Sequence, residues 1–259
     1  MKVKSNVNVL LVFIMVLLTI TDTLAQESDT LKYAVDFQVS GQRKRGVFSQ
    51  TSLRVTANNH LETKKLIVTN LSSYTYTEAN DFNLADDWHF RTIMMFKMKS
   101  TSRILPSIAH NYFKNVLYRI NHSNRALAGL RILPFKQYQD FSFVLGAGYE
   151  LSNYTDETFV NSPLVSSQRD FTLGFANISG KHKIGKNKIL INYNLSYVQS
   201  FEESKDFSFW LTSGLSVPLS KRFSFGVNYD YRIRNVHLVD LPNINDLLMF
   251  NVKLNLSNS

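Results

Sequence analysis

The sequence predicts an all-β chain that closes into one antiparallel up-and-down transmembrane β-barrel of about twelve strands. Three observations carry that expectation. Long stretches alternate apolar and polar residues with period two, the signature of strands with one apolar and one polar face. Connectors between these stretches are long on one side and short on the other, and aromatic residues gather beside them.

The first 25 residues stand apart from this pattern. Lys2 and Lys4 precede a short apolar run, VLLVFIMVLLTI, and a polar stretch ends at Ala25. A charged start, an apolar middle and a small residue at the cut describe a secretory signal peptide. A spanning helix needs roughly 20 apolar residues, so the run is too short to serve as an anchor. The expected organisation is therefore a signal peptide over 1–25, cleaved near Ala25, and a barrel domain over 26–259. The chain has no cysteine, which excludes disulfides and thiolate chemistry. The net charge of +9 is modest for an exported chain and points away from nucleic acid.

Twelve strand segments follow in order: 31–40, 47–58, 63–77, 87–99, 103–120, 125–136, 140–153, 169–180, 187–200, 206–219, 222–234 and 246–256. The clearest is RFSFGVNYDYRI, where Phe223, Phe225, Val227, Tyr229, Tyr231 and Ile233 oppose Ser224, Gly226, Asn228, Asp230 and Arg232. Trp88, Phe90, Thr92, Met94 and Phe96 likewise oppose His89, Arg91, Ile93, Met95 and Lys97. Phe141, Phe143, Leu145, Ala147 and Tyr149 oppose Ser142, Val144, Gly146, Gly148 and Glu150. Leu248, Phe250, Val252, Leu254 and Leu256 form one face of the last segment. Alternation is broken in 47–58 and 103–120, so a count of ten stays open. About eleven residues at roughly 3.3 Å, tilted about 45°, cover the ~25 Å apolar band of a membrane barrel.

With the N-terminus periplasmic, the outer connectors are 41–46, 78–86, 121–124, 154–167, 201–205 and 235–244. The expected interfacial girdle is Tyr74, Tyr76, Trp88, Phe90, Phe141, Phe143, Tyr149, Phe207, Phe209, Phe223, Phe225, Tyr229 and Tyr231, with Phe171 and Tyr193 on its outer side. The expected lumen-facing charges are Arg91, Lys97, Arg131, Glu150, Asp230 and Arg232. These either pair across the lumen and brace it or ring a narrow ion pathway. The outer connectors hold Glu78, Asp81, Asp86, Asp156, Glu157, Glu202, Glu203 and Asp240, either ordinary solvated turn charge or a place for divalent cations, with the basic turn Gln42-Arg43-Lys44-Arg45 as the exception.

Several short motifs carry a family resemblance. They are Ser40-Gly41 with Gly46, Tyr74-Thr75-Tyr76, Gly129-Leu130-Arg131, and Leu145-Gly146-Ala147-Gly148-Tyr149-Glu150. In this order the first half of the chain resembles the YdiY-like, DUF481 family of outer-membrane β-barrel proteins. The resemblance implies an outer-membrane barrel and supplies no catalytic residues. Such a barrel has outer-membrane lipid and the barrel assembly machinery as partners. Outer-membrane barrels usually finish on an aromatic residue, whereas this chain reads Leu256-Ser257-Asn258-Ser259.

Catalytic motifs are not apparent. His122-Ser123 and His89 near Asp87 are the suggestive neighbours, and no nucleophile-elbow, zinc-protease, P-loop or EF-hand spacing occurs. No cofactor is expected. The leading expectation is a non-enzymatic envelope barrel with a structural, narrow-pore or surface-interaction role. A lipid-modifying hydrolase at the rim and a secreted soluble barrel around an apolar ligand are the alternatives.

Overall fold

The computed structural model describes residues 31–44, 50–79, 82–98, 103–116, 119–134, 141–162, 166–185, 189–239 and 243–257. The expected signal peptide and Gly46 lie outside them. The strands are β1 (Lys32–Lys44), β2 (Gln50–Glu62), β3 (Leu66–Ala79), β4 (Phe82–Phe96), β5 (Ile104–Asn115), β6 (Ile120–Ile132) and β7 (Ser142–Tyr154). They continue as β8 (Phe159–Val160), β9 (Gln168–Ile184), β10 (Ile189–Ser200), β11 (Phe207–Pro218), β12 (Phe223–Arg234), β13 (His237–Leu238) and β14 (Ile244–Ser257). Twelve of them form a closed antiparallel barrel in which β1 pairs with both β2 and β14. Closure leaves no open edge, so the ladder satisfies the backbone without water.

The faces are inverted relative to a soluble protein. Outward residues are apolar and exposed, among them Leu145 (55%), Leu215 (53%), Phe250 (56%) and Val252 (50%). Inward residues are polar and buried, among them Ser40, Ser52, Ser123, Ser142, Glu150 and Asn251. An apolar belt of this extent on a closed barrel is a lipid-facing surface. It removes the soluble-barrel alternative, which requires the apolar face inside.

Two stretches depart from the sequence-based boundaries. After β5 the Arg119 amide donates to the Val116 carbonyl (3.0 Å), and β6 begins at Ile120. The expected connector 121–124 is thus strand. Irregular pairing at Phe113/Asn115 and at Ile120/His122 shifts the face parity at the end of β5 and the start of β6, which hid the boundary. Likewise most of the expected connector 78–86 is strand, because β3 and β4 stay paired up to Ala79 and Phe82.

Glycines explain one motif. A Cβ on Gly148 would lie 2.2 Å from the Ala126 carbonyl oxygen, and one on Gly146 would lie 2.3 Å from that of Ala128. Gly129 faces Gly146 directly in the register, and its Cβ would meet the Leu145 oxygen at 2.4 Å. Glycine permits the close approach of β6 and β7 here.

Candidate functional site: the lumen and its cap

The long connectors share one end of the barrel, the loop end. There β8 pairs with β13, tying the loop after β7 to the loop after β12. Asn161 reinforces this by donating to the Asn235 carbonyl (3.1 Å). Ile120, Tyr154, Phe159, Val236 and Leu238 are all buried in one cluster, with Phe113 packed against it. Tyr154 and Phe159 meet edge to face at 4.8 Å. An apolar cap therefore sits over the loop end of the lumen.

A charged layer underlies the cap. Arg169 contacts Glu203 at 2.6 Å and Asp206 at 3.3 Å, and its guanidinium lies over Phe159 (4.9 Å) and Phe171 (5.9 Å). Arg234 donates to the Tyr154 hydroxyl. Burial lifts the Asp206 carboxyl above its usual range, against the pull of Arg234 and Arg169. At the rim, hydrogen bonding from the Thr172 hydroxyl holds the Glu202 carboxyl below its usual range. Asp156 approaches Arg119 at 3.4 Å.

Each inward charge has a defined setting. Glu150 accepts from Arg125 Nε (2.7 Å), Ser152 (2.7 Å) and Ser123 (3.2 Å). Asp230 pairs with Arg54 at 2.6 Å, and Arg54 Nε donates to Thr75 (3.1 Å). Arg232 stacks on Trp210 at 4.0 Å and stands 4.0 Å from Asp230. Arg91 stands in the same region, close enough to act on His89 electrostatically. Lys97 bonds Glu62 (2.5 Å) and the Thr63 carbonyl (2.9 Å), and Arg131 reaches the Met95 sulfur (3.2 Å). Near the opposite, turn end, Lys253 pairs with Asp36 at 2.7 Å.

The lumen narrows at one level. His89 on β4 and Trp210 on β11 come from strands on opposite sides of the twelve-strand circuit, yet their ring centroids are 6.1 Å apart. Side chains from facing walls thus touch across the barrel axis. Sequence reasoning missed Trp210, Arg54 and Arg125 as parts of this site. The inward parity of Trp210 was readable, but alternation is broken around Arg54 and shifted before Arg125, and the contacts of Arg54 with Asp230 and of Trp210 with His89 join distant strands.

The aromatic candidates occupy the wall in clusters. Tyr74 packs on Trp88 (4.7 Å), Trp88 stacks on Phe90 (5.8 Å), and Phe90 meets Tyr112 (6.2 Å). Phe141 meets Phe143, Tyr229 stacks on Tyr231, and Phe225 stacks on Phe250. Tyr197 stacks on Phe207, while Phe209 pairs in register with Tyr197 and Ile233. Phe223 is exposed at the start of β12. The Tyr76 hydroxyl donates to Glu78 (3.2 Å), and that of Tyr149 donates to Asp170 (2.9 Å).

Phe171 and Tyr193 depart from their expected places. Phe171 is 8% exposed and lies under Arg169, because the loop-end half of β9 turns its apolar residues inward beneath the cap; Leu173 is fully buried there. Tyr193 stacks on His182 (5.6 Å) near the turn end. His122 is exposed, Ser123 is buried in the Glu150 network, and Asp87 accepts from the Val116 amide (2.7 Å).

A family model described as "Protein of unknown function, DUF481" matches residues 37–243. No curated protein matches the chain. Among solved structures, the chain is similar to the NanC porin (10% identity, TM-score 0.48, 87% of this chain and 99% of that one). It is also similar to the COG4313 outer membrane channel from Pseudomonas putida F1 (9% identity, TM-score 0.48, 88% and 95%). The translocator domain of autotransporter NalP from Neisseria meningitidis matches at 11% identity and TM-score 0.44, over 97% of each chain.

Proposed function

The chain belongs to the DUF481 family, and from that premise we propose a non-enzymatic barrel of the outer membrane of a diderm bacterium. Its lumen is closed at rest, and its role is structural or surface-facing rather than that of an open porin. The observation that carries this reading is the meeting of His89 and Trp210 from opposite walls beneath an apolar cap. A hydrated pathway needs a continuous polar bore, and here the bore is crossed by paired charge and covered by buried apolar residues. The loop end faces the cell exterior, and residues 1–25 are removed on export. A narrow pore that opens when the cap moves is the second reading. It is favoured by the cap being built from two loops joined through a pairing of only two residues per strand.

The test is fractionation of cells expressing the protein, followed by gels of boiled and unboiled outer membranes. The reading expects the protein in that fraction, migrating faster unboiled. Recovery in the soluble fraction without a heat shift contradicts it.

A further inference from the structure

Five side chains converge at the narrow level of the lumen: Arg54, His89, Arg91, Trp210 and Arg232. Arg54, Arg91 and Arg232 all lie close enough to His89 to act on it electrostatically, and Arg232 and His89 share the Trp210 ring. Asp230 lies 2.6 Å from Arg54 and 4.0 Å from Arg232. Among the described residues Arg91 has no hydrogen bond or ion pair. The Trp210 Nε1–H is buried without an acceptor. The nearby Arg125 is neutralised by Glu150 and adds no surplus.

Arg91 and the Trp210 N–H are therefore buried donors without an acceptor among the described residues. Guanidinium and indole N–H groups only donate. Uncompensated positive charge in an enclosure of low dielectric constant is costly until a counter-charge enters. Arg54 and Arg232 keep 20% and 27% of their side chains accessible, so the level is not sealed from solvent. Planar guanidinium groups bind oxyanions through paired, charge-assisted hydrogen bonds. We propose that this level of the lumen is a binding site for one small oxyanion of the phosphate, sulfate or carboxylate class. Arg91 and the Trp210 N–H donate to it, while Arg54 and Arg232 supply the field. Asp230 competes with the anion and holds the two arginines in place when it is absent. The site rests on the closed-lumen reading, because the same side chains form the constriction.

Calorimetric titration of the full-length barrel in zwitterionic detergent with sodium phosphate, at constant ionic strength, tests the site. The expected result is saturable binding of one phosphate per chain. Arg91→Gln weakens it by about tenfold or more, as loss of a hydrogen bond to a charged group does. Asp230→Asn tightens it. Trp210→Phe keeps the aromatic platform, removes one donor and weakens binding. Fast migration of the unboiled variant reports folding. If Arg91→Gln fails that criterion, Trp210→Phe decides. Absence of saturable binding, or equal affinity in the folded variants, overturns the proposal. A barrel that binds no phosphate yet stays electrically closed loses this site and keeps the proposed function.

Discussion

Glu150 has no exposed surface, yet each of its oxygens is engaged, by Arg125 on one side and by Ser123 and Ser152 on the other. Removing one partner of a buried pair strands the other charge, at a cost of about 3 kcal/mol or more. Glu150→Ala is expected to lower the stability of the folded barrel by about that amount, seen as a lower urea midpoint for loss of the fast-migrating band. Unchanged unfolding contradicts the bracing role. The inward placement of Glu150 was readable from period-two alternation alone. Its partners were not, because Arg125 lies on the neighbouring strand and its parity is shifted by the irregular pairing at Ile120/His122. Phe171 was misread for a related reason. Periodicity says which residues share a face, but not which face meets lipid, and in the loop-end half of β9 the apolar face turns inward.

At the scale of elements, β6 and β7 show why the motif at 146–148 reads glycine, apolar residue, glycine. Ala147 faces outward, and the flanking Gly146 and Gly148 leave room for the carbonyls of β6. Gly148→Ala is expected to abolish the heat-sensitive folded form, since the added carbon meets fixed backbone at 2.2 Å. Gly185→Ala is the control: it has φ +66° but nothing within 4 Å, and costs only about 1 kcal/mol of backbone strain. Equal folding yields for the two variants contradict this account of the motif. The long strands were legible because each carries many alternations. The cap was not, because β8 and β13 are two residues each and find one another across the loops of separate hairpins. No local pattern marks such a pairing.

For the whole molecule, the inversion of faces decides the environment, and the proposed role turns on the crossing of the lumen. The apolar exterior was implied by the expected girdle and the strand lengths. The proposed closure rests on contacts between strands far apart in sequence, such as Arg54 with Asp230 and His89 with Trp210, which composition and spacing do not reveal. The most direct measurement is the conductance of the purified, heat-shifting barrel in planar lipid bilayers. The account predicts that the native protein inserts without a sustained open-channel current. Trp210→Ala combined with shortening of the 154–167 loop is predicted to give discrete openings. A stable open-channel conductance from the native barrel, unaltered by those changes, contradicts it.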